Sequence, residues 1–112
     1  MDLVSKKCVP CESGGKKLEP PRVMELLPQV PTWNVKGDKL CKTFEFKDFV
    51  AAMQFLNRVA ELAEEEDHHP DMHLVGYRNV TVELWTHALG GLSENDFILA
   101  AKIDQLPVAL KT

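Results

Sequence analysis

The sequence contains no run of apolar residues that approaches the ~20 needed to span a lipid bilayer. Its first residues, Met1 to Lys7, also lack the apolar core of a signal peptide. Basic residues are grouped no further than the pairs Lys6–Lys7 and Lys16–Lys17, and the formal net charge is −4. Because phosphate affinity depends on concentrated basic residues, nucleic-acid binding is not expected. These absences predict a soluble protein of the cytoplasm or, if a targeting segment has been removed, of the nucleus or an organelle.

Cysteine is scarce, and its odd number, three, suits a reducing compartment better than a disulfide framework. Cys8 and Cys11 have CxxC spacing, but no second CxxC completes the four ligands of a structural zinc site. Both lie within residues 1–17, a segment that ends shortly after Gly14–Gly15. We expect this segment to be a flexible tail. A metal or redox role for the two cysteines is the alternative.

Residues 18–112 are predicted to form one domain with three helices. A composition of 45% hydrophobic and 27% charged residues is sufficient for a hydrophobic core. The longest helix is predicted over residues 49–65, because Asp48 is a good N-cap and apolar residues recur at spacing i, i+3, i+4, i+7. The two shorter helices, predicted from first-turn prolines and a capping box, are Arg22–Leu27 after Pro20-Pro21 and a helix after Ser93 with Asp96 at its third position.

Two hairpins are predicted from short alternating apolar segments that are separated by turn residues. Their strands are Trp33–Val35 with Leu40–Phe46, and Met72–Tyr77 with Val80–His87, joined by turns at Lys36–Lys39 and Arg78–Asn79. The order α-β-β-α-β-β-α predicts an α+β fold, in which a four-stranded antiparallel sheet has its helices packed on one face. The uncovered face is expected to self-associate through apolar residues, namely Val75, Tyr77 and Trp85.

His68, His69 and His87 lie close together in the sequence, and imidazole is the side chain best able to exchange protons near neutral pH. Acid–base catalysis is one interpretation. A zinc site is another, with Asp67 or Asp96 as a fourth or outer ligand. The spacing matches no established metal motif and adjacent histidines diverge in an extended chain, so acid–base catalysis is favoured. A third interpretation is structural, because a histidine at a helix C-terminus complements the helix dipole.

Several short segments occur in a specific order and at specific distances from one another along the sequence. They are Trp33–Asn34, Phe44–Phe49, Asn57–Ala60, Asp67–Pro70, Tyr77, Thr86–His87 and Gly91–Asp96. In these segments, over roughly residues 19–106, the sequence resembles the pterin-4a-carbinolamine dehydratases. The resemblance implies the same α+β fold. It also implies dehydration of a 4a-hydroxy-tetrahydropterin to the quinonoid dihydropterin, a step in the recycling of tetrahydrobiopterin.

The resemblance implies site residues as well. The counterparts of His68, His69 and His87 are the catalytic set of that family, in which imidazoles supply the acid for the departing hydroxyl and the base for the N5 proton. No hydride or electron is transferred, so neither a cofactor nor a metal is expected. Residues expected to contact the pterin or shape its pocket are Trp33, Asp67, Pro70, Thr86, Ala88 and Asp96. Two of these have alternatives: Asp96 orients His87 or only caps its helix, and Trp33 borders the pocket or belongs to the core.

The resemblance also implies partners. Members of that family act in animals as dimerisation cofactors of a homeodomain transcription factor, so a protein-binding module is the alternative function. A homodimer or homotetramer is expected, as is a functional link to an aromatic amino-acid hydroxylase that generates the pterin substrate. The histidines favour the enzyme, because a surface that only binds a helix has no need of them.

Overall fold

The computed structural model describes residues 3–8 and 17–110. Its elements are α1 (Pro20–Leu26), β1 (Asn34–Lys36), β2 (Lys39–Glu45), α2 (Phe49–Glu66), β3 (Asp71–Val75), β4 (Asn79–Leu84) and α3 (Glu94–Ile103), with short 3-10 turns at Leu3–Ser5, Leu27–Gln29 and His87–Leu89. The predicted order α-β-β-α-β-β-α is confirmed. Cys11 and Gly14–Gly15 lie outside the described residues. Within the described ranges, no helix has both the length and the apolar character to cross a membrane.

In this part of the chain the four strands form one antiparallel sheet in the order β1-β2-β4-β3. The central pair is β2 and β4, with Leu40 opposite Leu84 and Phe44 opposite Val80. These four side chains are buried, and they pack in one core cluster with residues of α2 and α3. The α+β class, with helices on one face of an antiparallel sheet, is therefore confirmed.

The other face of the sheet is more polar than predicted. Thr43 and Thr81 are hydrogen-bonded across β2 and β4, with 2.9 Å between their Oγ1 atoms. His73 Nε2 donates to Glu83 Oε1 at 3.1 Å, which joins β3 to β4. The apolar residues predicted for this face lie at or beyond the strand ends instead: Val75, Tyr77 and Trp85.

Both hairpin turns contain a glycine with positive φ, and this displaces the predicted strand ends. Gly37, at φ 61°, connects β1 to β2, while Gly76 at φ 60° and Tyr77 at φ 57° end β3. Glycine adopts this conformation without steric cost, whereas a residue with a Cβ is strained. The second turn therefore lies at residues 76–78 rather than at Arg78–Asn79, and Asn79 begins β4.

β4 ends at Leu84, before the predicted end at His87. The pairing with the two neighbouring strands accounts for this. Leu84 pairs with Leu40, near the start of β2. Glu83 pairs with Asp71, the first residue of β3. Beyond Leu84, β3 offers no further strand residue and β2 offers only its first, Lys39. His87 consequently lies in the 3-10 turn His87–Leu89 and not on a strand.

α2 agrees with the prediction at both ends, within one residue. The predicted N-cap is confirmed, since Asp48 Oδ1 accepts the amide of Ala51 at 2.8 Å. At the other end the helix stops after Glu66, where Asp67 adopts a left-handed conformation with φ 53°.

The apolar residues of α2 form two stripes, of which one is buried. The sequence pattern alone does not distinguish them, because both have helical spacing. The buried stripe comprises Ala52, Phe55, Val59 and Ala63, whereas the exposed apolar stripe comprises Phe49, Val50 and Met53.

α3 begins with the predicted capping box, which is confirmed. The amide of Ser93 donates to Asp96 Oδ2 at 2.9 Å. The helix is surrounded by the rest of the domain on most sides, with Phe97, Leu99 and Ile103 each 0% exposed. Its first turn is therefore held in the interior, together with the Asp96 carboxylate.

The segment Leu3–Cys8, which the sequence assigns to a flexible tail, packs against the domain. Leu3 is 3% exposed and belongs to the hydrophobic core, and Lys6 Nζ forms an ion pair with Glu94 at the start of α3. Leu3 and Lys6 therefore both contact residues that are distant from them in sequence. Those partners cannot be identified from the composition of the segment itself.

The Cys8 thiol is held in its neutral form. Burial, and secondarily the nearby Glu66 carboxylate, raise the pKa of Cys8 from 9.0 to about 12. Its Sγ lies 3.6 Å from the carbonyl oxygen of Asn95, to which it donates. Since the thiolate is the form that binds metals and attacks disulfides, this arrangement favours a structural role for Cys8.

We expect Cys8 to react slowly with alkylating reagents in the folded protein. The rise in pKa from 9.0 to about 12 lowers the thiolate fraction at pH 8 by about a thousandfold. The measurement is the rate of iodoacetamide labelling at pH 8 in a Cys11→Ser, Cys41→Ser variant, before and after unfolding in urea. Equal rates in the two states would contradict the protection of the half-buried Cys8 thiol.

Candidate active site

The end of α2 turns His68 inward and His69 outward. The amides of Asp67 and His68 both donate to the carbonyl oxygen of Ala63, the latter at 3.1 Å, so the chain reverses direction there. Pro70 excludes the helical conformation from the residue before it, and β3 begins directly after it. As a result His68 is 9% exposed, whereas His69 lies at the surface.

A buried carboxylate, that of Asp96, binds the inward histidine. His68 Nε2 donates to Asp96 Oδ1 at 2.6 Å. Oδ2 accepts Thr86 Oγ1 at 3.0 Å as well as the amide of Ser93. Burial of a carboxylate is costly unless it is hydrogen-bonded, and here both oxygens are. Because Nε2 donates to Asp96, Nδ1 is the nitrogen with which a neutral His68 can accept a proton.

His87 projects from a small loop that Thr86 and Gly91 close. The amide of Thr86 donates to the carbonyl oxygen of Gly91 at 2.8 Å, and a longer bond of 3.4 Å returns from Gly91 to Thr86. Gly90 turns the chain inside this loop with φ 66°. The His87 side chain is thereby exposed, although its backbone neighbour Thr86 is buried.

The indole of Trp85 packs beside the His87 ring. Their centroids are 3.9 Å apart, with 39° between the ring planes. Trp85 Nε1 donates to Asp71 Oδ2 at 3.0 Å, so the indole is fixed to the first residue of β3. Trp85 therefore links the His87 ring to Asp71, the residue that directly follows Pro70.

Asp96 is where the two histidine segments meet. Its Oδ1 binds His68, and its Oδ2 binds Thr86, the residue before His87. Of the two roles expected for Asp96, the capping role is confirmed. Its carboxylate contacts His68, and it reaches the His87 loop through Thr86. The structure thus places His68, Asp96 and Thr86 in one network, with His87 at its edge.

His69 contacts a different carboxylate from His68. Its Nε2 lies 2.6 Å from Glu64 Oε2, and both side chains are largely exposed. The two adjacent histidines therefore face separate carboxylates, as the extended backbone predicts. Among the side chains that the structure describes, no three His, Cys, Asp or Glu residues are grouped to hold a metal ion.

The remaining predicted site residues are distributed unevenly. Trp33 is 2% exposed, and its Nε1 donates to the Asp104 carboxylate at 3.1 Å, within the core cluster. Asp67 and Ala88 are exposed and Pro70 is half-buried, all in the segments that carry the histidines. The structure thus places Asp67, Pro70 and Ala88 near the histidines by chain connectivity, while the described contacts of Trp33 lie elsewhere.

Two residues of the site, Trp85 and Asp71, were not predicted from the sequence. The sequence pattern assigns Trp85 only to the uncovered sheet face, although Trp85 lies two residues before His87. Residues with this spacing share a face in a predicted strand, which is the signal for their contact. No signal of this kind exists for Asp71, because its contact with Trp85 depends on the pairing of β3 with β4.

Comparison with known proteins identifies the family. The family model described as pterin 4 alpha carbinolamine dehydratase matches residues 16–106. The chain is 48% identical to a protein of Arabidopsis thaliana named pterin-4-alpha-carbinolamine dehydratase 2, mitochondrial, in a match that covers 96% of this chain. The chain spans only 60% of the length of that relative.

Two solved structures are similar to this fold. One, from Brucella melitensis, is described as a transcriptional coactivator/pterin dehydratase; it has a TM-score of 0.74 and 34% identity, covering 80% of this chain and 96% of that one. The other is a pterin dehydratase-like protein described as a RuBisCO assembly factor in the alpha-carboxysome, with a TM-score of 0.52 and 30% identity over 64% of this chain and 82% of that one. The chain belongs to the pterin 4 alpha carbinolamine dehydratase family.

Proposed function

We propose that the chain removes water from a 4a-hydroxy-tetrahydropterin and releases the quinonoid dihydropterin. Family membership supports a pterin dehydratase. The observation that carries the proposal is the placement of His68 and the His87 loop at the two oxygens of Asp96. Elimination of water requires an acid for the hydroxyl at C4a and a base for the N5 proton, and the imidazoles of His68 and His87 are suited to supply both.

In the proposed mechanism His68 is the base. Its Nε2–H is held by Asp96, so Nδ1 accepts the N5 proton while the carboxylate stabilises the imidazolium that forms. The electron pair of the broken N5–H bond forms the N5=C4a double bond. His87, exposed beside Trp85, donates a proton to the departing hydroxyl, which leaves as water. Solvent then returns a proton to His87 and takes one from His68.

The other predicted site residues have supporting roles in this proposal. His69 binds the pterin from the outer side, and Asp67, Pro70, Thr86 and Ala88 line the pocket between the two histidine segments. We assign Trp33 to the core, because its indole is buried against Asp104. The reaction transfers neither hydride nor electron, so the proposal includes no cofactor and no metal.

We expect His68→Ala and His87→Ala each to lower the rate of dehydration by about 100-fold or more, because each removes a proton-transfer group. The matched control is His73→Ala, which removes an exposed histidine that binds Glu83 on the open sheet face and retains the wild-type rate. The measurement is the decay of freshly generated 4a-hydroxy-tetrahydropterin after subtraction of the uncatalysed rate. The proposal fails if the wild type does not accelerate this decay. It also fails if a variant with both His68→Ala and His87→Ala accelerates the decay as much as the wild type does.

Asp96→Asn tests the residue that positions His68. An amide cannot accept hydrogen bonds on both of its atoms, so we expect kcat to fall by about tenfold or more, with a smaller change in KM. The free energy of unfolding should fall by about 1–3 kcal/mol. The control is Asp104→Asn, since Asp104 also accepts a ring N–H but is exposed. If Asp96 served only the fold, the folded variant would keep its kcat.

A second candidate function, protein binding, is favoured by the exposed apolar stripe of α2. Phe49, Val50 and Met53 are 50%, 62% and 39% exposed. A contiguous apolar patch usually marks an interface, and the Brucella structure is described as a coactivator as well as a dehydratase. We propose that copies of this chain associate through this stripe as a homodimer or homotetramer, and that a transcription-factor partner would bind the same surface.

We expect Val50→Asp to reduce the assembly size measured by sedimentation, because it places a charge in the proposed interface. Val75→Asp is the matched control, since Val75 is 67% exposed at the end of β3 and the substitution is the same. Dissociation by Val75→Asp alone would locate the interface on the open sheet face, as the sequence predicted.

One further variant distinguishes the dehydratase function from the protein-binding function. Replacement of His68, His69 and His87 by alanine should abolish dehydration and leave the assembly size unchanged. The functional link to an aromatic amino-acid hydroxylase and a cytoplasmic, nuclear or organellar location stay predictions.

A further inference from the structure

The N-terminal segment Leu3–Cys8 contacts both helix ends that carry the His68–Asp96 pair. The amide of Cys8 donates to Glu66 Oε1 at 2.9 Å, and Glu66 is the last residue of α2, two positions before His68. Cys8 Sγ donates to the carbonyl oxygen of Asn95, the residue before Asp96. A single residue therefore connects the end of α2 with the start of α3.

Glu66, which accepts the Cys8 amide, is itself held by a second residue, Lys102. Its side chain is 1% exposed, and Lys102 Nζ donates to Oε2 at 2.7 Å. Burial alone would raise the pKa of Glu66, but the hydrogen bonds from Lys102 and from the Cys8 amide outweigh it and lower that pKa below its ordinary value. Burial of a carboxylate oxygen is costly without a hydrogen bond, and the Cys8 amide is the donor to Oε1. The Cys8 amide is thus a required partner of Glu66.

Two further contacts fix the segment at its other end. Leu3 inserts into the hydrophobic core, and Lys6 pairs with Glu94 in the first turn of α3. Arg22 also reaches Glu94, at 3.7 Å, so α1 holds the same helix start. The segment is attached at Leu3, Lys6 and Cys8, which span it from one end to the other.

The segment precedes the residues that the family model matches. The family model matches residues 16–106, so Leu3–Cys8 lie outside it. The contacts above are nevertheless made with residues inside that match, on α2 and α3.

We propose that Leu3–Cys8 is a clasp, which holds the C-terminus of α2 against the N-terminus of α3 and so keeps His68 within hydrogen-bonding distance of Asp96. Cys8 and Glu66 are positioning residues in this arrangement. The bond between His68 and Asp96 spans the same two helix ends, at 2.6 Å. Because hydrogen bonds weaken steeply as their geometry is lost, a small separation of the helices would release His68. The consequence for catalysis rests on the proposed function, whereas the geometric consequence does not.

The experiment uses the full chain with three substitutions. Leu3→Asp detaches the clasp by placing a charge in the core, and Val4→Asp makes the same change at a neighbouring residue that is 37% exposed. Cys8→Pro removes the amide donor to Glu66 and leaves Leu3 in place. The first measurement is the exchange with water of the His68 Nε2 proton, followed by ¹⁵N NMR. The second is kcat and KM for dehydration.

We expect exchange of the His68 proton to be about tenfold faster or more in Leu3→Asp and Cys8→Pro, and unchanged in Val4→Asp. In the same two variants kcat should fall by about tenfold, with less change in KM, because the base is misplaced while the pocket persists. An unchanged exchange rate of the His68 proton in folded Cys8→Pro overturns the clasp. If Leu3→Asp does not fold, Cys8→Pro alone tests the clasp. Faster exchange with unchanged kcat overturns the positioning role. Faster exchange in a protein whose wild type is inactive supports the clasp and removes the proposed function.

Discussion

The buried Asp96 carboxylate is the constraint on which the rest of the site depends. An ionised carboxylate in a protein interior is strongly disfavoured unless donors reach both of its oxygens. Here those donors are His68 after α2, Thr86 after β4 and Ser93, the N-cap of α3. Each of these three residues lies between the helices and strands of the domain. Asp96 gives them one common partner.

This constraint explains why the fold surrounds α3 so completely. The first turn of a helix has unpaired amides, and a capping carboxylate there satisfies some of them. In this chain the same carboxylate also binds His68 and Thr86, so the helix start is held next to the segments that follow α2 and β4. The buried side chains along α3, from Phe97 to Ile103, supply the apolar contact that keeps the helix there. The polar network is thus stabilised by packing that begins immediately after it.

Most of the fold could be predicted from the sequence, because its signals are local. The N-cap Asp48, the capping box at Ser93 and the alternation along Val80–Leu84 each depend on neighbours within a few positions. The strand ends could not be predicted in this way, since β4 stops where its partner strands stop. For the same reason His87 was expected on a strand and lies in a turn.

The contacts of the site were harder to predict than its residues. The histidines and Asp96 stand out by type and spacing, but the pairing of Asp96 with His68 depends on how α3 approaches the end of α2. The choice between the two stripes of α2 likewise depends on which side the sheet occupies, and helical spacing alone does not show it. The anchoring of Leu3–Cys8 depends on Glu66, Glu94 and Asn95, all far away in sequence. Local pattern therefore identifies the participants, whereas tertiary packing determines their partners.

The geometry of α2 also shows why catalysis and protein binding need not compete. The exposed apolar stripe lies in the first turns of the helix, and His68 lies just beyond its last turn. An 18-residue helix separates these ends by about 27 Å. A partner on the stripe would therefore cover the far end of the helix from the His68–Asp96 pair. Because the helix is capped at both ends and buried along one side from Ala52 to Ala63, we expect it to keep the two surfaces apart.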